Sequence, residues 1–262
     1  MDRKIIFFDI DGTISTEDTR FIPESTIQAI KEARLNGHLT YINTGRTYIN
    51  IGNDLKDLGF DGYVCGCGTY IRVGDKVLLS KTIEKNTCKE IIQKLRECKI
   101  EAILEGQVDV YFDKTVKNKR LNKVKDYFES IGLGVRDDWD SEGIQFDKLF
   151  IVSNEETNLN EFKQYIEKDF DYIDRGNNQG EIVPKGYTKA SGIKFLLDYY
   201  NIPFENAYAI GDSSNDLSML EYVQNSIAMG NSDPCIYEIA SFRTKDILED
   251  GIWHALKHFH II

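Results

Sequence analysis

Apolar residues run unbroken from Ile5 to Phe8 and stop at Asp9-Ile10-Asp11-Gly12-Thr13. Continuous hydrophobicity over so short a stretch fits a parallel strand covered on both faces. Two carboxylates where it ends cost free energy unless a cation or a reaction uses them. Side chains two apart on an extended chain point the same way, so Asp9 and Asp11 can converge beyond the strand. From Glu24 onward, Ile27, Ile30 and Ala33 recur with helical period, and Gly37 is placed to stop that helix. The run from His38 to Asn43 predicts a second strand. Thr44-Gly45-Arg46 then leads into a predicted helix reaching about Leu58, and Gly62 to Cys65 predicts a third strand. Strand, helix and strand in this rhythm predict a right-handed parallel sheet.

The rhythm changes near residue 82. From there the pattern predicts a helix at about 87–98, two short strands within about 101–113, and a helix at about 117–131. A strand over Lys148 to Val152 follows, then a helix at about 158–168 and strands at about 171–175 and 180–184. Short turns at Gly106-Gln107 and Gly176-Asn177-Asn178 mark antiparallel hairpins. Alternation resumes near 187, with a helix from Lys189 to Tyr200, a buried strand Ala207 to Ile210 ending at Gly211-Asp212, and a helix from Asp216 to Tyr222. A strand Ile227 to Gly230 and a helix Ile252 to Phe259 close the pattern. The expected fold class is α/β: a doubly wound, Rossmann-like parallel core of residues 1–81 and 187–262, with an α+β domain of residues 82–186 inserted in it.

Composition narrows the partners. A formal charge of −11, from 32 basic against 43 acidic residues, argues against broad nucleic-acid binding. No apolar stretch approaches the roughly 20 residues of a membrane span, and Asp2-Arg3-Lys4 leads straight into a strand too short for a signal-peptide core. A cytoplasmic protein is expected, with its oligomeric state open. The five cysteines (Cys65, Cys67, Cys88, Cys98 and Cys235) show no zinc-type pairing and read as free, buried thiols. His254 and His258 share one helical face, which reads as a solvated face before a metal site.

Three predicted strand ends carry polar residues: Asp9 with Asp11, Thr44, and Asp212. In open α/β sheets the ligand crevice lies beyond the carboxyl ends of the strands. With Asp216, as many as four negative charges would meet there, which a hard cation such as Mg²⁺ would relieve. Asp212 and Asp216 also fit plain helix capping. Thr44-Gly45, at a strand-to-helix turn, suits a phosphate through its hydroxyl and the helix N–H groups. Lys189 opens a helix, where a cation opposes the dipole and asks for an anionic partner; a solvated lysine is the bland alternative.

These four segments, in this order, resemble the signature motifs of the haloacid dehalogenase superfamily. Asp9-x-Asp11-Gly12-Thr13, Thr44-Gly45-Arg46, Lys189 within Lys185-Gly186-Tyr187-Thr188-Lys189, and Gly211-Asp212-Ser213-Ser214-Asn215-Asp216 followed by Met219-Leu220 match its four motifs. The insertion resembles the type-II cap, and the whole chain resembles the Cof-type sugar-phosphatase branch. The resemblance implies a Mg²⁺-dependent phosphatase acting on a small phosphorylated metabolite. Asp9 would be the nucleophile, forming an aspartyl-phosphate, and Asp11 the general acid and base. Asp9, the Asp11 main-chain carbonyl and Asp212 would hold the metal. Thr44, Gly45, Lys189 and Asn215 would bind the phosphoryl group, Asp216 would orient the metal's waters, and the cap would choose the leaving group. Cys67-Gly68 stands where the branch usually has Asn-Gly, and Asn231-Ser232 where it usually has Asn-Ala. A phosphomutase would share the aspartyl-phosphate. A non-catalytic sugar-phosphate sensor would need neither Asp9 nor Asp11.

Overall fold

The computed structural model describes residues 2–262. In chain order it contains β1 (Ile5–Phe8), α1 (Glu24–Leu35), β2 (Leu39–Asn43), α2 (Asn53–Lys56), β3 (Gly62–Cys65), β4 (Tyr70–Val73) and β5 (Lys76–Ser80). Next come α3 (Lys85–Glu97), β6 (Glu101–Glu105), β7 (Asp109–Phe112), α4 (Lys119–Ser130), β8 (Gly134–Arg136), β9 (Lys148–Val152), α5 (Leu159–Ile166), β10 (Phe170–Asp174) and β11 (Gln179–Pro184). The chain ends with α6 (Lys189–Tyr200), β12 (Ala207–Gly211), α7 (Leu217–Tyr222), β13 (Asn225–Ala228), α8 (Pro234–Ile239), β14 (Phe242–Arg243) and α9 (Gly251–His258). Two compact units result. One comprises the residues through Gly45, Asn53–Leu79 and Tyr187–Ile262; the other comprises Arg46–Gly52 and Ser80–Gly186.

The first unit is built on an eight-stranded sheet in the order β14-β13-β12-β1-β2-β3-β4-β5. Its strands from β14 to β3 are parallel, and β4 pairs antiparallel with β3. All four residues of β1 are fully buried, as a strand covered on both faces requires. Ile5, Phe7, Leu39, Tyr41, Ile193, Leu196 and Met219 share one apolar cluster, so helices α6 and α7 cover that face of the sheet. Helix α1 ends as its glycine predicts. Gly37, at φ +86°, donates its N–H to the Arg34 carbonyl, and His38 donates back to Ala33, closing the chain before β2.

The second unit carries a six-stranded sheet in the order β10-β11-β9-β6-β7-β8. Both predicted hairpins are present, as the antiparallel pairs β6–β7 and β10–β11. Helices α3 and α5 bury Ile91, Leu95, Phe162 and Ile166 against Leu104, Leu149, Ile151 and Ile182 on one face. Helix α4 places Leu121 against Ile103, Val110 and Phe112 on the other.

The predicted helix from Arg46 to Leu58 does not form. A 3₁₀ turn at Tyr48–Asn50 and the four-residue α2 take its place, separated by Gly52. Tertiary contacts override local propensity there. Ile49 packs against the Ile103–Phe112 cluster, and Asn50 donates Nδ2–H to Glu105 Oε2 at 2.7 Å. Thr44-Gly45 therefore does not stand at a helix N-terminus, and a helix dipole does not favour a phosphate there. Cys235 is exposed, unlike the other four thiols. Among the described residues no helix is long and apolar enough to cross a membrane.

One buried group behind β1 gives a stability test. His38 is 3% exposed, accepts the Lys4 N–H at Nδ1 (3.2 Å), and among the described residues has no partner at Nε2. Burial first, then the Lys4 and Arg3 charges, lower its pKa. A histidine depressed in the fold contributes stability that is present above its unfolded value of about 6.5 and lost as pH falls through the folded one. The thermal midpoint is thus expected to fall below about pH 6.5, and His38→Gln to flatten that decline in a melting series.

Candidate active site

Strand β1 lies between β12 and β2, with Phe8 opposite both Ile210 and Ile42. The residues that follow each strand therefore leave the sheet at the same edge. The Asp9 N–H donates to the Ile210 carbonyl at 3.0 Å, which carries the β1–β12 pairing one residue past the strand. Asp9, Asp212 and Asp216, all buried, each offer a carboxylate oxygen within 4.8 Å of the others. Residues distant in sequence are thus brought to one point.

Lys189 Nζ lies 2.6 Å from Asp9 Oδ1 and 2.5 Å from Asp216 Oδ1. At 1% exposed it is not the solvated lysine of the bland reading. Its place at the start of α6 is set by Thr188 and Ser191, each of which accepts the other's backbone N–H, at 3.1 and 2.9 Å. Asn43, at the end of β2, donates to the Lys189 carbonyl at 3.1 Å. The opposing helix dipole is overcome by two carboxylates at hydrogen-bond distance.

The second oxygen of Asp216 accepts the N–H groups of Asp212 (2.9 Å) and Ser213 (3.1 Å). Asp216 thus does cap the turn that follows β12, while also holding Lys189. Asp212 receives Thr13 Oγ1–H at 2.7 Å and, among the described residues, has no ion pair with a lysine or arginine. Gly12, at φ +81°, lets the loop after β1 come this close, because a Cβ there would collide with the Asp212 carboxylate. Asn231 fixes the same loop from the far side, donating Nδ2–H to the Gly12 carbonyl (2.8 Å) and accepting the Ile247 N–H at Oδ1.

Electrostatics show what the cluster wants. Burial, then the Asp216 charge, pushes the Asp9 carboxyl up to about 7, against the pull of Lys189. Burial, then Asp216 and Asp9, pushes Asp212 up to about 9, with Thr13 and Lys189 opposing. Burial alone would lower the Lys189 pKa, but Asp216 and Asp9 raise it instead. One ammonium serves three buried carboxylates, so the group is short of positive charge. Its donors are hard oxygens, which is the ligand set of Mg²⁺. The residues present fit such an ion.

The other predicted residues are placed as follows. Asp11 is half-buried past β1 and outside the three-carboxylate group, though close enough for its charge to raise Asp9. The expected gathering of four carboxylates is therefore a gathering of three with Asp11 beside it. Thr44 is buried at the end of β2, with its N–H on the Val64 carbonyl and its carbonyl accepting from Cys67. Asn215 accepts Ser213 Oγ–H at 2.7 Å, within its own loop. Cys67 sits at φ +55°, a left-handed conformation that Asn adopts more readily than most residues. Gly68 beside it is needed because a Cβ would strike the Thr188 backbone. Sequence reasoning assigned no role to the Thr13 hydroxyl or to Asn231. Thr13 lay inside the first motif, but its contact with Asp212 spans 199 residues and no local pattern reveals it.

Comparison with known proteins agrees with this geometry. The family model for haloacid dehalogenase-like hydrolases matches residues 6–256. A Bacillus subtilis protein named "Putative phosphatase YkrA" is 31% identical over 267 residues, covering all of both chains. The 5-amino-6-(5-phospho-D-ribitylamino)uracil phosphatase YitU of the same organism is 24% identical over 97% of each chain. Among solved structures, the subclass IIB sugar phosphatase BT4131 superposes with a TM-score of 0.85 at 28% identity, over 99% of this chain and 100% of that one.

Proposed function

We propose that this chain, which belongs to the haloacid dehalogenase-like hydrolase family and is a phosphatase, hydrolyses small phosphate monoesters with Mg²⁺ and carries the phosphoryl group on Asp9. Sugar phosphates are the substrate class, by analogy with the sugar phosphatase whose fold it shares and the ribityl-phosphate compound named for YitU. The observation that carries the reading is the buried Asp9–Lys189–Asp216 chain with Asp212 alongside. Lys189 engages Asp9 at Oδ1, which leaves Oδ2 to attack phosphorus. The bond from phosphorus to the substrate's alcohol oxygen then breaks as Asp11 delivers a proton to that oxygen. Asp11, now ionised, takes a proton from water, whose oxygen attacks phosphorus and returns Asp9 to its carboxylate. Mg²⁺, held by Asp9, Asp212 and the Asp11 main-chain carbonyl, would offset negative charge on the transferring group. Asp216 orients Lys189 and the turn bearing Asp212. Thr44, Gly45, Lys189 and Asn215 are assigned to phosphoryl oxygens.

The test is phosphate release across a broad panel of phosphorylated metabolites, with and without EDTA. Turnover is expected to vanish in EDTA and return with Mg²⁺, and Mg²⁺ is expected to raise the melting temperature by binding the folded form alone. Metal-independent turnover would remove Asp212 from its role. Phosphate transfer back to the substrate, dependent on a bisphosphate activator, would make the enzyme a mutase.

A further inference from the structure

We propose that Asn43 is a positioning residue: it anchors the backbone of Lys189 so that the ammonium meets Asp9 and Asp216, and turnover depends on that anchor. The link to turnover rests on the phosphatase reading above; the anchoring does not. Asn43 ends β2, immediately before Thr44, and is 0% exposed. Its Nδ2 donates to the Lys189 carbonyl at 3.1 Å and to the Met219 sulfur at 3.6 Å. One amide thus touches the first residue of α6 and the helix α7 that follows Asp216, while its own backbone leads into Thr44.

A side chain kept only for packing would not be an amide here. The Asn43 Oδ1 is buried and, among the described residues, accepts no hydrogen bond. Turning the amide over gives no relief, because Oδ1 would then face the Lys189 carbonyl, acceptor against acceptor. A buried acceptor without a donor costs free energy. Val64, paired with Asn43 across the sheet, and Met219 both belong to the apolar cluster of this unit. An apolar side chain suits such neighbours better than an amide. Nor does the Lys189 carbonyl need the bond for the helix to form, since it lies in the first turn of α6, within reach of the helix's own N–H groups. What the amide adds is a fixed distance between β2 and Lys189.

That distance matters because Lys189 is held at two ends. Its ammonium lies between Asp9 and Asp216, but a flexible four-carbon stem separates it from the backbone. Thr188 and Ser191 shape the turn that opens α6, and Asn43 ties that turn to the sheet. The sheet strand involved lies beside the one that bears the nucleophile: Phe8 pairs with Ile42, so Asp9 and Asn43 are the next residues along adjacent strands. Without the anchor, the start of α6 can drift and draw the Asp9 carboxylate with it. Misplacement by about 1 Å is enough to cost about 100-fold in rate.

Nitrogen-15 spectroscopy of lysine-labelled, metal-free protein follows the Lys189 ammonium directly. Among the described residues, the buried lysines are Lys148 and Lys189. Burial among carboxylates slows proton exchange with water enough for an ammonium signal to be seen, and Lys189→Arg assigns the pair. In Asn43→Leu the Lys189 signal is expected to shift and broaden while that of Lys148 stays in place. Both signals unchanged overturns the anchor, as does an equal change in both, which marks general destabilisation. With Mg²⁺, kcat of the same variant is expected to fall about 10- to 100-fold with KM within about threefold. A kcat within about twofold of the wild type overturns the dependence of turnover on Asn43. Asn43→Ala removes the same donor without added bulk and decides both points if the leucine variant fails to fold. A wild type that releases phosphate from no substrate sinks the phosphatase reading alone, since the ammonium comparison still decides whether Asn43 anchors Lys189.

Discussion

Asp9→Asn is expected to lower turnover by at least about 10⁴-fold while leaving the protein folded, because an amide cannot form the phosphoryl ester on which the proposed chemistry runs. The stability side follows from the same environment. Burial, then Asp216, holds the Asp9 carboxyl up to about 7, so its favourable contribution is fully present below its unfolded value of about 3.9 and lost as pH rises through about 7. Without metal, Asp9→Asn should therefore melt no lower than the wild type at pH 5 and higher at pH 8, since Lys189 keeps Asp216 as its partner. Phosphate release with Mg²⁺ and thermal melts in EDTA check the two halves separately. Turnover within tenfold of wild type removes Asp9 as the nucleophile; a lower melting temperature at pH 8 refutes the electrostatic account.

Lys189→Met is expected to cost about 3–5 kcal/mol, the usual penalty for removing one partner of a buried ion pair. Here the loss strands two carboxylates at once, with Asp212 within 4.8 Å of both. The deficit should widen as pH rises through about 7 and Asp9 ionises, and Mg²⁺ should recover part of it by supplying positive charge to the folded state. Turnover should fall as well, because Asp9 loses the contact that orients it. Lys194→Met, at an exposed position on the same helix, is the control and should stay within about 0.5 kcal/mol. Equal melting of the two variants contradicts the central place given to Lys189.

The sequence was most legible where local chemistry and global fold agree. The Ile5–Phe8 run could hardly be other than a covered strand, and the helices α3 and α5 and the hairpins β6–β7 and β10–β11 were readable because the helices carry strong apolar periodicity and the hairpins carry glycine turns. The 46–58 stretch failed because its conformation is decided by Ile49 and Asn50 meeting residues of β6 and β7, which no window of neighbours contains. Strands β8 and β14, three and two residues long, are too short for an alternation to register. In the site, motif residues announced themselves by type and spacing. Thr13 and Asn231 act on partners 199 and 219 residues away, and ordinary polar residues give no hint of such reach.

The place of β1 in its sheet bears on how the chain is made. Ile5 pairs with Leu39 on one side and with Ala207 on the other. A ribosome delivers the first neighbour early and the second only after the whole inserted unit has emerged. Until then a four-residue apolar strand presents an unpaired edge, the kind of surface that recruits other nascent chains. Closing it late imposes a long loop-closure entropy and slows the last step of folding. Truncation anywhere before Ala207 leaves the edge open for good, so prematurely terminated polypeptides should be clients of chaperones and proteases rather than partial enzymes.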